Sequence, residues 1–278
     1  MTDLLRDGPV VLDGIDPEEL VVLARDVAAE AAAFVAARRP EGRVEVAATK
    51  SSPTDVVTEL DRACEELVRS RLLAARPDDA VVGEEGDDHA GDSGVAWIVD
   101  PIDGTVNFVY GIPSYAVSIA AAVDGAVVAG VVVNIATGEQ WGAVRDGGAW
   151  TWHGGERRAV VAPAPPPVSR MLVGTGFSYV PELRAEQARA VASLLPQVRD
   201  VRRLGAAALD LCAVASGRLD AYVEQGLQPW DLAAGGLVAK EAGLRVAGLD
   251  GPAGARLVMA AHPAVSEEYF ALVRTCGF

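Results

Sequence analysis

Trp97-Ile98-Val99-Asp100-Pro101-Ile102-Asp103-Gly104-Thr105-Val106-Asn107 begins as an apolar run and ends in two carboxylates, a proline, a glycine and a threonine. An apolar run closed by turn residues predicts a buried strand that stops inside the motif. Pro101, with its fixed φ and no N–H, stiffens the turn between Asp100 and Asp103, so both carboxylates can converge on one point. Convergent carboxylates need a cation. Oxygen-only ligands select a hard ion such as Mg²⁺, which keeps several waters and shares the phosphate oxygens of a substrate. Gly104 and Thr105 read as the opening of a helical turn, where free backbone N–H groups and the helix dipole favour phosphate.

Upstream, Ala80-Val81-Val82-Gly83 predicts a second strand whose end carries Glu84-Glu85. A helix capped by Thr54 or Asp55 and running to Ala75 precedes it and carries Asp61, after a short strand at Val44–Ala48. The first helix starts at the Asp16-Pro17-Glu18-Glu19 cap and stops at Arg38-Arg39-Pro40. Downstream, Ala116–Val123 and Ala126–Asn134 flank Asp124-Gly125, a hairpin signal. Glu139–Val144 and Ala149–Trp152 make another hairpin. Pro163–Pro167 reads as a stiff connector that divides an N-terminal α+β half, 1–162, from a C-terminal α/β half, 168–278, the two packed as one compact unit with the active site between them. The second half alternates: strand Met171–Gly174, helix Glu182–Leu195, strand Asp200–Arg203, helix Ala207–Ser216, strand Asp220–Val223, helix Leu232–Ala242, strands Leu244–Ala247 and Arg256–Ala260, and helix Val265–Arg274. The fold class is therefore layered α/β.

With 278 residues, half of them hydrophobic, the chain can bury a large core. The formal charge of −15 repels nucleic acid and anionic lipid, so neither is an expected partner. The apolar tract Ala116–Val133 is interrupted by Ser118 and Asp124-Gly125, which argues for the hairpin and against a membrane span. Cys64, Cys212 and Cys276 form no CxxC pair and read as reduced structural thiols. The polar start Met1–Val10 lacks the pattern of a secretory leader, so a cytoplasmic protein is expected. His89, His153 and His262 lie in unpatterned loops and are given no role.

Beyond the central motif, Glu84 ends a strand expected to neighbour the Trp97 strand, and Asp231 follows Pro229-Trp230 at the start of a helix, where its charge is favourable. Gly205-Ala206-Ala207-Ala208 opens another helix with side chains small enough for a ligand to approach the backbone N–H groups. Glu84-Glu85, Asp100-Pro-Ile-Asp-Gly-Thr105 with Asn107-Phe108, Gly205-Ala-Ala, and Trp230-Asp231 followed by Lys240-Glu241-Ala242-Gly243 together resemble the inositol monophosphatases, within the lithium-sensitive, Mg²⁺-dependent phosphatases. The resemblance runs from about Ile15 to the C-terminus.

It implies an αβαβα sandwich, a homodimer, and two or three Mg²⁺ held by Glu84, Asp100, the carbonyl of Ile102, Asp103 and Asp231. Catalysis would fall to Thr105, which orients the nucleophilic water, to Asp61, which holds the Thr105 hydroxyl, and to Glu84. Substrate contacts would come from Asp103, Gly104, Thr105, Gly205, Ala206, Ala207, Glu224 and Asp231. Glu85 and Lys50 would stand near the most weakly held ion. Ala206 occupies a position where many relatives carry Ser or Thr, so a hydroxyl contact is lost while a backbone N–H remains. Arg202-Arg203 reads as a solvated pair, with guidance of anions or a dimer contact as the alternatives. The implied activity is hydrolysis of a small phosphate monoester, myo-inositol 1-phosphate or a similar polyol or sugar monophosphate. The alternatives are histidinol phosphate or fructose 1,6-bisphosphate as substrate and, from another class, a regulatory binding protein that retains the phosphatase site.

Overall fold

The computed structural model describes residues 5, 6, 8–44, 46, 48, 49 and 56–278. Lys50 and the caps expected at Thr54 or Asp55 lie outside the described residues, as does part of the strand expected at Val44–Ala48. Helix α1 (Pro17–Arg38) opens where expected, with the Asp16 carboxylate accepting the Glu18 N–H at 2.9 Å. Its buried residues, from Leu20 and Val21 through Ala24, Val27, Ala28 and Ala31 to Val35, recur at helical spacing. Two-residue strands β1 (Ala48–Thr49) and β2 (Val56–Val57) pair antiparallel. Helix α2 (Glu59–Ala75) starts later than expected, because Thr58 and Asp61 form a reciprocal capping box at its first turn.

A seven-stranded sheet follows in chain order: β3 (Ala80–Gly83), β4 (Val95–Asp103), then, after helix α3 (Thr105–Tyr110), β5 (Ala116–Val123), β6 (Ala126–Asn134), β7 (Gln140–Val144), β8 (Gly148–His153) and β9 (Glu156–Val160). β3 runs parallel to β4, and every later pair is antiparallel. Strand β9 was not anticipated: Glu156, Arg157 and Arg158 are exposed and show no apolar alternation, and β9 exists because it pairs with β8 at the sheet edge. The Arg157 guanidinium lies 3.9 Å over the Trp150 ring. At the other end of the sheet, Trp97 is fully buried and its indole N–H donates to Asp79 at 2.8 Å. That bond fixes β4 under the site.

The second half supplies β10 (Leu172–Thr175), α4 (Pro181–Leu194), β11 (Asp200–Arg202), α5 (Ala207–Ala215), β12 (Ala221–Glu224), α6 (Pro229–Glu241), β13 (Arg245–Ala247), β14 (Val258–Ala261) and α7 (Pro263–Cys276). Its five-stranded sheet has the order β11-β10-β12-β14-β13, parallel across the first three strands and antiparallel at β14. Helix α6 begins at Pro229, earlier than the Leu232 start expected, and Asp231 lies in its first turn as expected, where Gln228 and Asp231 close a capping box. His262, given no role from sequence, caps α7, its Nδ1 accepting the Ala264 N–H at 3.1 Å.

The layers stack as αβαβα. Helices α1 and α2 cover one face of the large sheet, α5 and α6 fill the space between the two sheets, and α4 and α7 cover the outer face of the small one. Three apolar clusters correspond to the three interfaces. Cys64, Cys212 and Cys276 are buried free thiols. Among the described residues no helix is long and apolar enough to cross a membrane.

Candidate functional site

In an unbroken strand, side chains three residues apart point to opposite faces. Asp100 opposes Ser118 and Asp103 opposes Ala116, so β4 carries two residues, Pro101 and Ile102, against the single Val117 of β5. This bulge reverses the parity and turns both carboxylates to the same side. The Asp100 carboxylate accepts the Ile102 N–H at 3.1 Å, which stabilises the bend. Gly104 follows with φ +88°, a conformation closed to most side chains, and a Cβ there would stand 2.9 Å from the Ser114 carbonyl. The Asn107 side chain donates to the Ser114 carbonyl at 2.8 Å and to the Leu204 carbonyl at 2.7 Å, tying α3 to the segment that leads into α5.

One carboxylate oxygen from each of Asp100, Asp103 and Asp231 lies within 4.8 Å of the others. Glu84, at the end of β3 beside β4, shares a hydrogen bond with the Asp100 carboxyl. Burial pushes Asp100 and Asp231 well above the usual carboxylate range; neighbouring Glu84 and Asp103 push Asp100 further, and Asp103 and Glu84 push Asp231 further. Asp103 rises to about 7, again chiefly through burial. Like charges about 4 Å apart repel by roughly 4 kcal/mol at an effective dielectric near 20. The cleft around them, about 380 Å³, is lined by five carboxylates, those of Glu84, Asp100, Asp103, Glu224 and Asp231, and, among the described residues, by Arg203 as the basic one. An anionic substrate does not enter such a pocket unaided. The donor set, all hard oxygens with uncompensated charge, fits a divalent cation.

Beside this cluster the Thr105 hydroxyl lies 3.2 Å from Asp61 Oδ1 and 3.1 Å from the Ile102 carbonyl. Read alone, Asp61 is an acid on a helix face; in the structure it is fully buried. Its Oδ2 accepts the Thr58 N–H at 2.9 Å and the Thr58 hydroxyl. Burial raises its pKa to about 6, against the lowering effect of those bonds.

The start of α5 departs from expectation. The N–H groups of Ala207 and Ala208 donate to the two oxygens of Asp103, at 3.2 and 2.8 Å, so the helix start holds the protein's own carboxylate. Ala206 is buried, its methyl facing Gly104, and is not among the cleft-lining residues, whereas Gly205 and Ala207 are. Across the cleft, the Tyr222 hydroxyl donates to Glu224, whose pKa rises to about 7 through burial, opposed by that bond and by the Arg203 charge. Asp210, buried on α5, is pushed well above its usual range by burial and by Glu224 and Asp103.

The sequence matches the inositol monophosphatase family over residues 16–276. The chain belongs to this family. It is similar to the inositol-1-monophosphatase of Mycobacterium leprae, 47% identical over 276 residues that cover 93% of this chain and 94% of the relative. It is also similar to the protein named Nus factor SuhB of Pasteurella multocida, 38% identical across 81% of this chain and 83% of that one. Among solved structures, Mycobacterium tuberculosis SuhB superimposes with a TM-score of 0.81 at 45% identity, covering 94% of this chain and 98% of that one. The Thermotoga maritima inositol monophosphatase superimposes with a TM-score of 0.76 at 29% identity, covering 93% and 96%.

As an inositol monophosphatase family member the protein is a phosphatase of that type, and its aspartate cluster suits the metal dependence of the family. Of the Arg202-Arg203 pair, read as solvated or as a guide for anions, it is Arg203 that reaches the cleft. Although exposed, Arg203 lines the cleft, and its charge acts on Glu224 and Asp210. The available signal was its place two residues before Gly205. Phe177, Ser178 and Tyr179, which lead from β10 to α4 and line the same cleft, left no signal in the sequence, because their segment has no periodicity.

Proposed function

We propose that this chain is a Mg²⁺-dependent phosphomonoesterase that hydrolyses myo-inositol 1-phosphate, or a similar polyol or sugar monophosphate, to the free polyol and phosphate. The observation that carries the reading is the meeting of Asp100, Asp103 and Asp231 in one cleft with the Thr105–Asp61 pair beside them. Glu84, Asp100, the Ile102 carbonyl, Asp103 and Asp231 would hold two or three Mg²⁺. When bound, such ions supply charge neutralisation for the phosphoryl oxygens and the leaving alkoxide and make a water more acidic.

The chain's own residues do the rest. Thr105 Oγ1 accepts a hydrogen bond from the attacking water and passes its own proton toward Asp61 Oδ1, which stands in line 3.2 Å away. A carboxyl whose pKa has risen to about 6 is well matched to take up a proton near neutrality. Backbone N–H groups of Gly104 and Thr105 orient the phosphate. Glu224, fixed by Tyr222, accepts hydrogen bonds from the hydroxyls of the leaving polyol. The division at 163–167 belongs to this reading, with the residues of 1–162 supplying the cation site apart from Asp231, and those of 168–278 supplying Asp231 and the polyol side. A homodimer, cytoplasmic residence, inhibition by lithium and the absence of nucleic-acid binding also belong to it.

Phosphate release measured across myo-inositol 1-phosphate, histidinol phosphate and fructose 1,6-bisphosphate, with Mg²⁺ and with excess EDTA, tests the reading. Fastest turnover on the inositol ester, abolished by chelator, is expected. Faster release from either rival replaces the substrate, and turnover in EDTA removes the metal. A regulatory reading has one observation in its favour, the relatives named Nus factor SuhB. Binding to transcription proteins by a variant without phosphatase activity would support it.

A further inference from the structure

Glu65 lies on α2, four residues after Asp61, and is 3% exposed although charged. An acid and Arg69 at i and i+4 on a helix ordinarily form a solvated surface pair. Glu65 instead turns inward. Its Oε2 accepts the Glu85 N–H and its Oε1 the Gly86 N–H, both at 2.8 Å, while Arg69 approaches Oε1 only at 3.3 Å. The ladder between β3 and β4 stops at Gly83 opposite Val99. Past that point the backbone that carries Glu84 and Glu85 has left its strand neighbour, and the Glu65 carboxylate takes the neighbour's place. Room for it comes from two glycines. A Cβ at Gly86 would stand 2.8 Å from Oε1, and a Cβ at Gly83 would overlap the carboxylate itself.

We propose that Glu65 is a positioning residue that sets the cation affinity of the cleft by holding the Glu84–Gly86 backbone from behind. The proposal rests on the reading of Glu84 as a cation ligand. Glu84 meets Asp100, and Glu85 acts by its charge on Asp61, so both acids of the loop depend on where this backbone stands. Buried groups that orient a ligand in this way change metal affinity by roughly 10–100-fold when altered.

Two variants test it. Glu65→Gln keeps the volume but replaces one acceptor with an N–H₂ group facing a backbone N–H. Gly86→Ala keeps Glu65 and pushes its carboxylate away from the other side. For both, calorimetric titration of the metal-free protein with Mg²⁺ should show binding weakened roughly 10–100-fold. Hydrogen exchange should accelerate at the Glu85 and Gly86 amides and stay unchanged across β4. With myo-inositol 1-phosphate at saturating Mg²⁺, kcat should return close to wild type. Unchanged Mg²⁺ affinity overturns the proposal, as does a loss of kcat that Mg²⁺ fails to restore, or exchange that rises uniformly through the fold. A wild-type protein that binds no Mg²⁺ overturns this proposal together with the cation site, whereas wild-type and variant proteins that bind alike overturn this proposal alone.

Discussion

Thr105 and Asp61 are 44 residues apart in the chain, yet the hydroxyl of one lies 3.2 Å from the carboxylate of the other. The contact exists because the bulge in β4 ends at the first turn of α3 just where the capping box of α2 buries Asp61. Asp61 therefore serves both the helix start and the hydroxyl. Thr105→Ala should keep Mg²⁺ and substrate binding near wild type and lower kcat by about 10²–10⁴, the contribution typical of positioned proton transfer. Asp61→Asn should lower kcat through the same hydroxyl and also weaken the cap, at about 1 kcal/mol of stability. The double variant should then lose little more kcat than either single one. Single-turnover rates at saturating Mg²⁺ measure this, and losses that multiply would separate the two residues.

Legibility followed how local the deciding physics was. The β5–β6 hairpin was read with its observed boundaries because Asp124 and Gly125 both adopt positive φ, as that dipeptide between apolar runs predicts. The convergence of Asp100 and Asp103 followed from Pro101 and the missing ladder bond. Strand β9 was illegible because its charged residues are ordered by a neighbouring strand and not by their own pattern. Taken alone Asp61 is a helix-face acid, and Glu65 drew no reading, because the hydroxyl and the loop that bury them are contributed from 44 and 20 residues away. Ala206 carries no mark of whether it faces a ligand or Gly104; only the approach of α5 to α3 decides that.

Repulsion among the buried acids makes a direct prediction for ligand-linked stability. If the cleft takes Mg²⁺ as proposed, the ion binds the folded cleft and not the unfolded chain, so it should raise Tm as its concentration rises. Asp100→Asn should reduce that rise while leaving the metal-free protein as stable as wild type or more so, since it removes one charge pressed against Glu84 and Asp103. Thermal melts with EDTA and with a Mg²⁺ series test this. A metal-free variant that melts far below wild type would make Asp100 a structural residue.

Glu224 supplies a pH dependence with a definite sign. Burial lifts its pKa from 4.5 to about 7 in the folded state. Below about 4.5 both folded and unfolded chains hold the proton, and the stability linked to it is fully present. Between there and 7 the unfolded chain releases its proton while the folded one keeps it, so stability falls as pH rises. In EDTA, the Tm of wild type minus that of Glu224→Gln should become more negative from pH 5 to pH 8. A flat difference would mean that Glu224 titrates normally.

The last prediction separates recognition of the polyol from the chemistry at phosphorus. The Glu224 carboxylate packs directly on the backbone of Gly176, and a Cβ added at Gly176 would overlap it. Glu224 is also held by the Tyr222 hydroxyl, a contact that is disturbed when the carboxylate moves to clear the methyl. Gly176→Ala should therefore displace the carboxylate while leaving Asp100, Asp103, Thr105 and Asp61 in place, since these lie on other elements. A hydrogen bond to a charged group contributes about 1.5–3 kcal/mol, which corresponds to a drop of roughly 10–150-fold in kcat/KM for myo-inositol 1-phosphate. On p-nitrophenyl phosphate, whose leaving group has no hydroxyls for Glu224 to accept from, the same variant should stay within a few-fold of wild type. Equal losses on both esters would mean that the methyl disturbs the phosphoryl site, and no loss on either would remove Glu224 from substrate recognition.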